Sequence, residues 1–120
     1  MGYQKGVNAY KNSQILTASP KKIIDLLLEG AVKQIKLAQL ALDQDNFEAV
    51  NIHLIKAQDI ILELKLSVDT TVEGDIPNQL IEMYEFMFSR LVTANMEKDL
   101  ELMELVIQML EEFRETWQQL

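Results

Sequence analysis

Apolar residues recur at i, i+3, i+4 and i+7 in four stretches of the chain, each bounded by helix-capping or helix-breaking residues. Ser19-Pro20 reads as the first start, a hydroxyl cap followed by a proline where the missing N–H has no helical partner to lose. That pattern continues to about Asp43. Asp45-Asn46-Phe47-Glu48 then sets a capping residue three positions before a carboxylate, a capping-box arrangement, and predicts a second helix to about Val68. The polar and β-branched stretch from Asp69 to Asp75 contains a glycine and reads as a loop. Asp75-Ile76-Pro77 opens a third helix to about Ala94. Asn95 is placed to cap a fourth, with Glu97 and Asp99 in the first turn, where the helix dipole favours anions. Helices at about 20–43, 46–68, 76–94 and 96–118 would each be about 27–36 Å long. Two of the three connections are short, and short links between helices of similar length make antiparallel neighbours. The prediction is an all-α, antiparallel up-down four-helix bundle over residues 19–120, preceded by a flexible or short-helical tail at residues 1–18.

One stripe per helix suffices for a core: Ile24, Leu28, Ala31, Ile35, Ala38 and Leu42; Val50, Leu54, Ala57, Ile61, Leu64 and Val68; Leu80, Tyr84, Met87 and Leu91; Met103, Ile107, Leu110 and Trp117. Helix 2 then has apolar residues left over. Ile52, Ile55, Leu62 and Leu66 form a second seam, interrupted by Asp59 and centred roughly 150° from the first at 100° per residue. On helix 4, Leu102, Leu105, Met109 and Phe113 run beside the core stripe. Helices 1 and 3 have broad faces too, through Ile23, Leu27 and Leu37 and through Ile81, Phe88 and Val92. Ordinary burial, or cover from the tail or from a second copy, accounts for single residues of this kind. The helix 2 seam as a whole reads as a surface that receives another helix.

Composition narrows the classes. A chain of 120 residues makes one domain, and 11 basic against 19 acidic side chains leave a net charge of -8. That balance argues against nucleic acid, whose affinity rests on phosphate neutralisation, and against anionic membranes. With no cysteine there are no disulfides, thiolate zinc sites or cysteine nucleophiles. His53 is the one histidine and reads as a surface or partly packed residue; a ferritin-type di-iron bundle needs two Glu-x-x-His motifs. No Gly-rich phosphate loop and no Ser/His/Asp set appears. Glu97, Glu101, Glu104, Glu111, Glu112 and Glu115 recur at helical spacing and read as a solvated face. The six methionines suit an adaptable binding surface as well as core gaps. Met1 to Asn12 lacks a signal-peptide apolar region, and Asp25 and Glu29 break the hydrophobic stretches before they could span a bilayer. A soluble cytoplasmic protein without catalytic residues, metal or cofactor is expected.

Laid end to end, the motifs resemble a known family, the flagellin-specific export chaperone FliS. Tyr10 ahead of Thr17-Ala18-Ser19-Pro20 is similar to the family's tail and first-helix start. Leu26-Leu27-Leu28-Glu29-Gly30-Ala31 resembles its first-helix signature, and Lys56-Ala57-Gln58-Asp59-Ile60-Ile61 with Glu63-Leu64 its second. Gly74-Asp75-Ile76, Leu80, Met83-Tyr84-Glu85-Phe86-Met87 and Ala94-Asn95 resemble the third, and Phe113-Arg114-Glu115-Thr116-Trp117 the C-terminal motif. Leu28-Glu29 stands where the family often has Tyr-Asp, and Thr116 where it commonly has Ala. The resemblance implies a bundle that binds the C-terminal helical segment of flagellin, keeps it monomeric and delivers it to the flagellar type III export gate. It also implies a tail that packs over the binding surface when no client is present. Here that tail offers Val7, Tyr10, Ile15 and Leu16, isolated apolar residues in an otherwise polar arm.

The client contacts expected from periodicity are Ile52, Ile55, Leu62 and Leu66, with Leu102, Leu105 and Met109 as a second line. A helical protein that self-associates through the same seam, as a structural or assembly component or as a homodimer, is the competing reading.

Overall fold

Helix boundaries fall where orphan backbone groups find partners. In the computed structural model, which describes residues 20–120, α1 spans Pro20–Asp43, α2 Phe47–Leu66, α3 Ile76–Glu97 and α4 Leu100–Gln119. Ser19 as a cap, and the tail residues Val7, Tyr10, Ile15 and Leu16, lie outside the described residues.

Two of the three connections use one device. Asp45 takes a left-handed φ of 56°, so the Asn46 N–H donates to the Ala41 carbonyl at 2.9 Å and the Asp45 N–H to that of Leu42 at 3.0 Å, closing the end of α1 as a Schellman turn. Asn46 then caps α2, its Oδ1 accepting from the Ala49 N–H at 3.1 Å. The cap is therefore Asn46, one residue beyond the Asp45 of the expected capping box, because Asp45 is used up in the left-handed turn. Between α3 and α4, Lys98 takes φ 53° and the Asp99 N–H donates to the Ala94 carbonyl at 2.9 Å. Asp99 Oδ1 caps α4, accepting from the Glu101 and Leu102 N–H groups at 2.9 and 3.2 Å. Asn95, expected in that role, lies inside α3, which runs on to Glu97. Lys98 Nζ reaches back to the Asn95 carbonyl and Oδ1, both at 2.7 Å, and supports the non-glycine left-handed turn. The α2–α3 loop is longer. Asp69 Oδ1 accepts from the Thr71 N–H and hydroxyl at 3.0 and 2.6 Å, and Gly74 supplies φ 99° just before Asp75-Ile76-Pro77 starts α3. Val68, placed in the second core stripe, falls past the end of α2 but still packs partly buried on the core.

Each helix packs on its chain neighbours and α4 closes on α1, as an up-down bundle requires. Polar links across neighbours run in antiparallel register. His53 Nδ1 lies 2.8 Å from Gln34 Oε1 between α2 and α1. Asn95 Nδ2 donates to Asn51 Oδ1 and Lys65 pairs with Glu85, both at 2.7 Å, between α3 and α2. The predicted stripes form the core: Leu28, Ile35, Leu54, Ile61, Leu64, Met87, Leu91, Met103 and Leu110 are fully buried, while Ile24, Leu42, Leu80 and Trp117 make a half-buried rim.

Asp25 is also buried. Arg114 on α4 grips it with two donors, Nε to Oδ1 at 2.8 Å and Nη2 to Oδ2 at 3.3 Å, the fork geometry that suits arginine to a carboxylate. Gln118 adds a third bond to Oδ1 at 2.9 Å, Lys22 sits 3.7 Å away, and Arg114 Nη2 extends to Glu29 at 3.2 Å. Next to this clamp, Trp117 Nε1 donates to the Lys21 carbonyl at 2.8 Å and Lys21 Nζ to that of Gln118 at 3.1 Å. The Arg114 hydrogen bond outweighs the cost of burial and holds the Asp25 carboxyl at about 2, below its ordinary 3.8.

Three outcomes follow from these contacts. Asn46→Ala and Asp99→Ala should each lower stability by about 1 kcal/mol, and the losses should add in denaturant melts because the two caps share no partner. Asp25→Asn should cost about 1–3 kcal/mol at neutral pH. A carboxylate whose folded pKa is depressed stabilises the fold above its unfolded pKa. Wild-type stability should therefore fall as pH drops from 3.8 to about 2, and Asp25→Asn should flatten that part of the profile.

Candidate functional site

A bundle helix shows the core only part of its circumference, so the flanking polar links fix what its other faces meet. On α2, Asn51 and Lys65 face α3, while His53 and Ile60 face α1, Ile60 Cδ1 lying 3.5 Å from where a Cβ on Gly30 would sit. At 100° per residue, Leu62, Ile55 and Leu66 follow within about 60° of Asn51, and Ile52 within about 100°. They form the outward shoulder of α2 on its α3 side, and 42–75% of each is exposed. On α3, Phe88, Ile81 and Val92 fall on the same arc as Asn95 and Glu85, turned toward α2, and all three are half-buried. Together these residues make the α2/α3 side of the bundle apolar.

The second expected line lies elsewhere. Gln39 and Lys36 of α1 bond to Glu104 and Glu111 at 3.0 and 3.4 Å, which fixes the α1 flank of α4. Phe113, on the other flank, meets Tyr84 of α3 edge-on, with ring centroids 6.1 Å apart. Leu102, Met109 and Leu105 follow Phe113 around that flank. Leu102 and Met109 are half-buried against the core, and Leu105 is 38% exposed. Opposite them, α3 offers Met83 and the exposed Phe86, over whose ring Arg90 sits with Cζ 5.7 Å from the centroid. The two lines of candidate residues thus lie on two sides of α3.

Beside this second line, Tyr84, Phe113 and Trp117 form a ladder, Phe113 stacking on Trp117 at 6.3 Å. Burial alone pushes the Tyr84 hydroxyl up to about 12. Phe86 and Arg90 were not among the candidate contacts. Phe86 lies off every stripe, and its only signal was its place in the Met83–Met87 motif.

Among the described residues, no three His, Asp or Glu side chains come together as a metal site, and no helix is long and apolar enough to cross a membrane. His53 is tied to Gln34. The fold and these faces define a small helical bundle that, among the described residues, exposes apolar side chains on either side of one helix. The chain belongs to the family described as flagellar protein FliS, whose model matches residues 3–120. It is 34% identical to the flagellar secretion chaperone FliS of Bacillus subtilis over 99% of this chain and 88% of that protein. It is 32% identical to that of Vibrio cholerae, over 95% of this chain and 87% of that protein, and 34% identical to that of Salmonella typhimurium, over 96% and 89%.

A neutral phenol preferred by the fold stabilises it below the unfolded pKa, and that contribution is lost as pH rises from 10.0 to about 12. An ultraviolet titration of the folded protein should show one tyrosine ionising late, near pH 12, and Tyr84→Phe should remove that step.

Proposed function

We propose that this chain is a cytoplasmic export chaperone that binds the C-terminal helical segment of flagellin, prevents its premature polymerisation and hands it to the flagellar type III export gate, with no catalysis of its own. The observation that carries this reading is the row Ile52, Ile55, Leu62 and Leu66, four large apolar side chains exposed on the outward shoulder of one helix of a bundle whose core is already full. An amphipathic client helix on the α2/α3 side would bury them at a gain on the order of 1 kcal/mol each. Ordering a client segment that is disordered when free offsets part of that gain, which keeps the complex releasable without ATP. Leu105, with Leu102 and Met109 beside it, offers a second contact line on the far side of α3. Membership of a family whose relatives are named flagellar secretion chaperones supports a flagellar client. The tail, through Val7, Tyr10, Ile15 and Leu16, acts as a gate that competes with the client.

Titration calorimetry with a flagellin C-terminal peptide tests the reading. Ile55→Asp combined with Leu62→Asp should weaken binding by about a hundredfold or more, while helical circular dichroism and melting stay close to wild type. A variant that unfolds would show instead that these side chains hold up the fold. Deleting residues 1–14 should tighten peptide binding; unchanged affinity and unchanged association state would count against the gate. Light scattering over a concentration series separates the competing reading: a monomer at all concentrations that binds the peptide one to one supports the chaperone, and dimerisation lost in the Asp variant supports self-association.

A further inference from the structure

An apolar depression lies on the α1/α4 side of the bundle, across from the exposed α2 seam. It is an open groove of about 730 Å³ near the α1–α2 and α3–α4 turns, with Leu40 and Leu100 as its apolar residues. Both leucines stand clear of the core, 61% and 52% exposed. Its other lining residues carry a one-sided charge: Asp43, Glu101 and Glu104 against Lys36. Lys36 is drawn off to Glu111 at 3.4 Å, and Glu104 is held by Gln39 at 3.0 Å. No ion pair engages Asp43 or Glu101 among the described residues. The remainder of the α1/α4 face is closed by the Asp25–Arg114 clamp and the Lys36–Glu111 pair, so two exposed leucines beside Asp43 and Glu101 interrupt an otherwise polar seam.

We infer that this groove is a second docking surface, and that its occupant is a short basic segment of another protein carrying aliphatic side chains between lysines or arginines. The leucines supply apolar area for the aliphatic side chains, and Asp43 and Glu101 supply the complementary charge, which speeds encounter and selects against acidic partners. A net charge of -8 draws any cation, and in this groove the charge stands beside two exposed leucines. Because the groove lies across from the exposed α2 seam, both can be filled at once.

The test uses the full-length chain labelled with nitrogen-15 and a capped amphipathic peptide made only of leucine and lysine. Amide shifts on titration should centre on Leu40, Asp43, Leu100 and Glu101, and binding should weaken several-fold as salt is raised beyond 0.1 M. Leu40→Lys with Asp43→Lys should weaken binding by about tenfold or more. Both sites are exposed, and a cation at the end of α1 suits its dipole, so an otherwise unchanged spectrum will show that the variant is folded. Ile55→Asp with Leu62→Asp should leave this binding unaltered, which separates the inference from the client site. Shifts centred on the α2 seam, equal affinity of the Lys variant, no binding, or equal binding of a leucine–glutamate peptide would each overturn it. So would concentration-dependent shifts at Leu40 and Leu100 without peptide, which would mean that a second copy fills the groove.

Discussion

In a four-helix bundle each helix can bury one stripe against its neighbours, and α2 illustrates the consequence. Val50, Leu54, Ala57, Ile61 and Leu64 are fully buried, so the core takes everything that one face of a 20-residue helix can supply. Ile52, Ile55, Leu62 and Leu66 cannot reach that core, because rotating α2 toward them would expose the first stripe and break the Asn51–Asn95 and Lys65–Glu85 links. Their exposure follows from geometry, and it leaves the bundle with an apolar surface that only another chain, or another part of this one, can cover.

The rest of the architecture divides the labour around that constraint. The α1/α4 side is stitched by directional polar contacts: the Asp25–Arg114 fork, Gln118 and Trp117 at one end, Lys36–Glu111 and Gln39–Glu104 along its length. Such contacts are satisfied within the fold. Among the described residues, the two sides of α3 have fewer of these links and more exposed hydrocarbon. A chaperone that binds and releases a client through the exposed α2 seam, as proposed, would benefit from this separation, since that seam is not the surface that keeps the bundle closed. The Tyr84–Phe113–Trp117 ladder joins the two, running from α3 across α4 to the Lys21 carbonyl at the start of α1.

Much of this was legible in the order of residues. The four helices, their core stripes and the spare seam on α2 depend on local periodicity, and Leu28, Leu54, Met87 and Leu110 are buried where a helical wheel puts them. Boundaries were less legible. Asn95 and Asp99 are equally good capping residues, and the choice fell to Asp99 because the left-handed turn formed at Lys98. The candidate contacts were only partly resolved: Ile55 and Leu62 stand exposed on a shoulder, whereas Leu102 and Met109, equally apolar and equally spaced, are half-buried against the core.

Asp25 marks the boundary between the two kinds of information. Read along the chain it is a charge that interrupts a hydrophobic run; in the bundle it is buried, gripped by Arg114 across 89 positions of sequence. No repeat of 3.6 residues relates two positions so far apart. The sequence by itself determined which residues are helical, which stripe seeks a core, that one helix has a stripe to spare, and, through its motifs, the family. Tertiary structure alone decided that the candidate lines fall on two sides of α3, that Leu40 and Leu100 line one depression with Asp43 and Glu101, and that a buried aspartate closes the ring. The physical reason is range: periodicity is a property of one helix, whereas a groove, a clamp or a charged rim exists only where side chains of two helices are brought within a few ångströms.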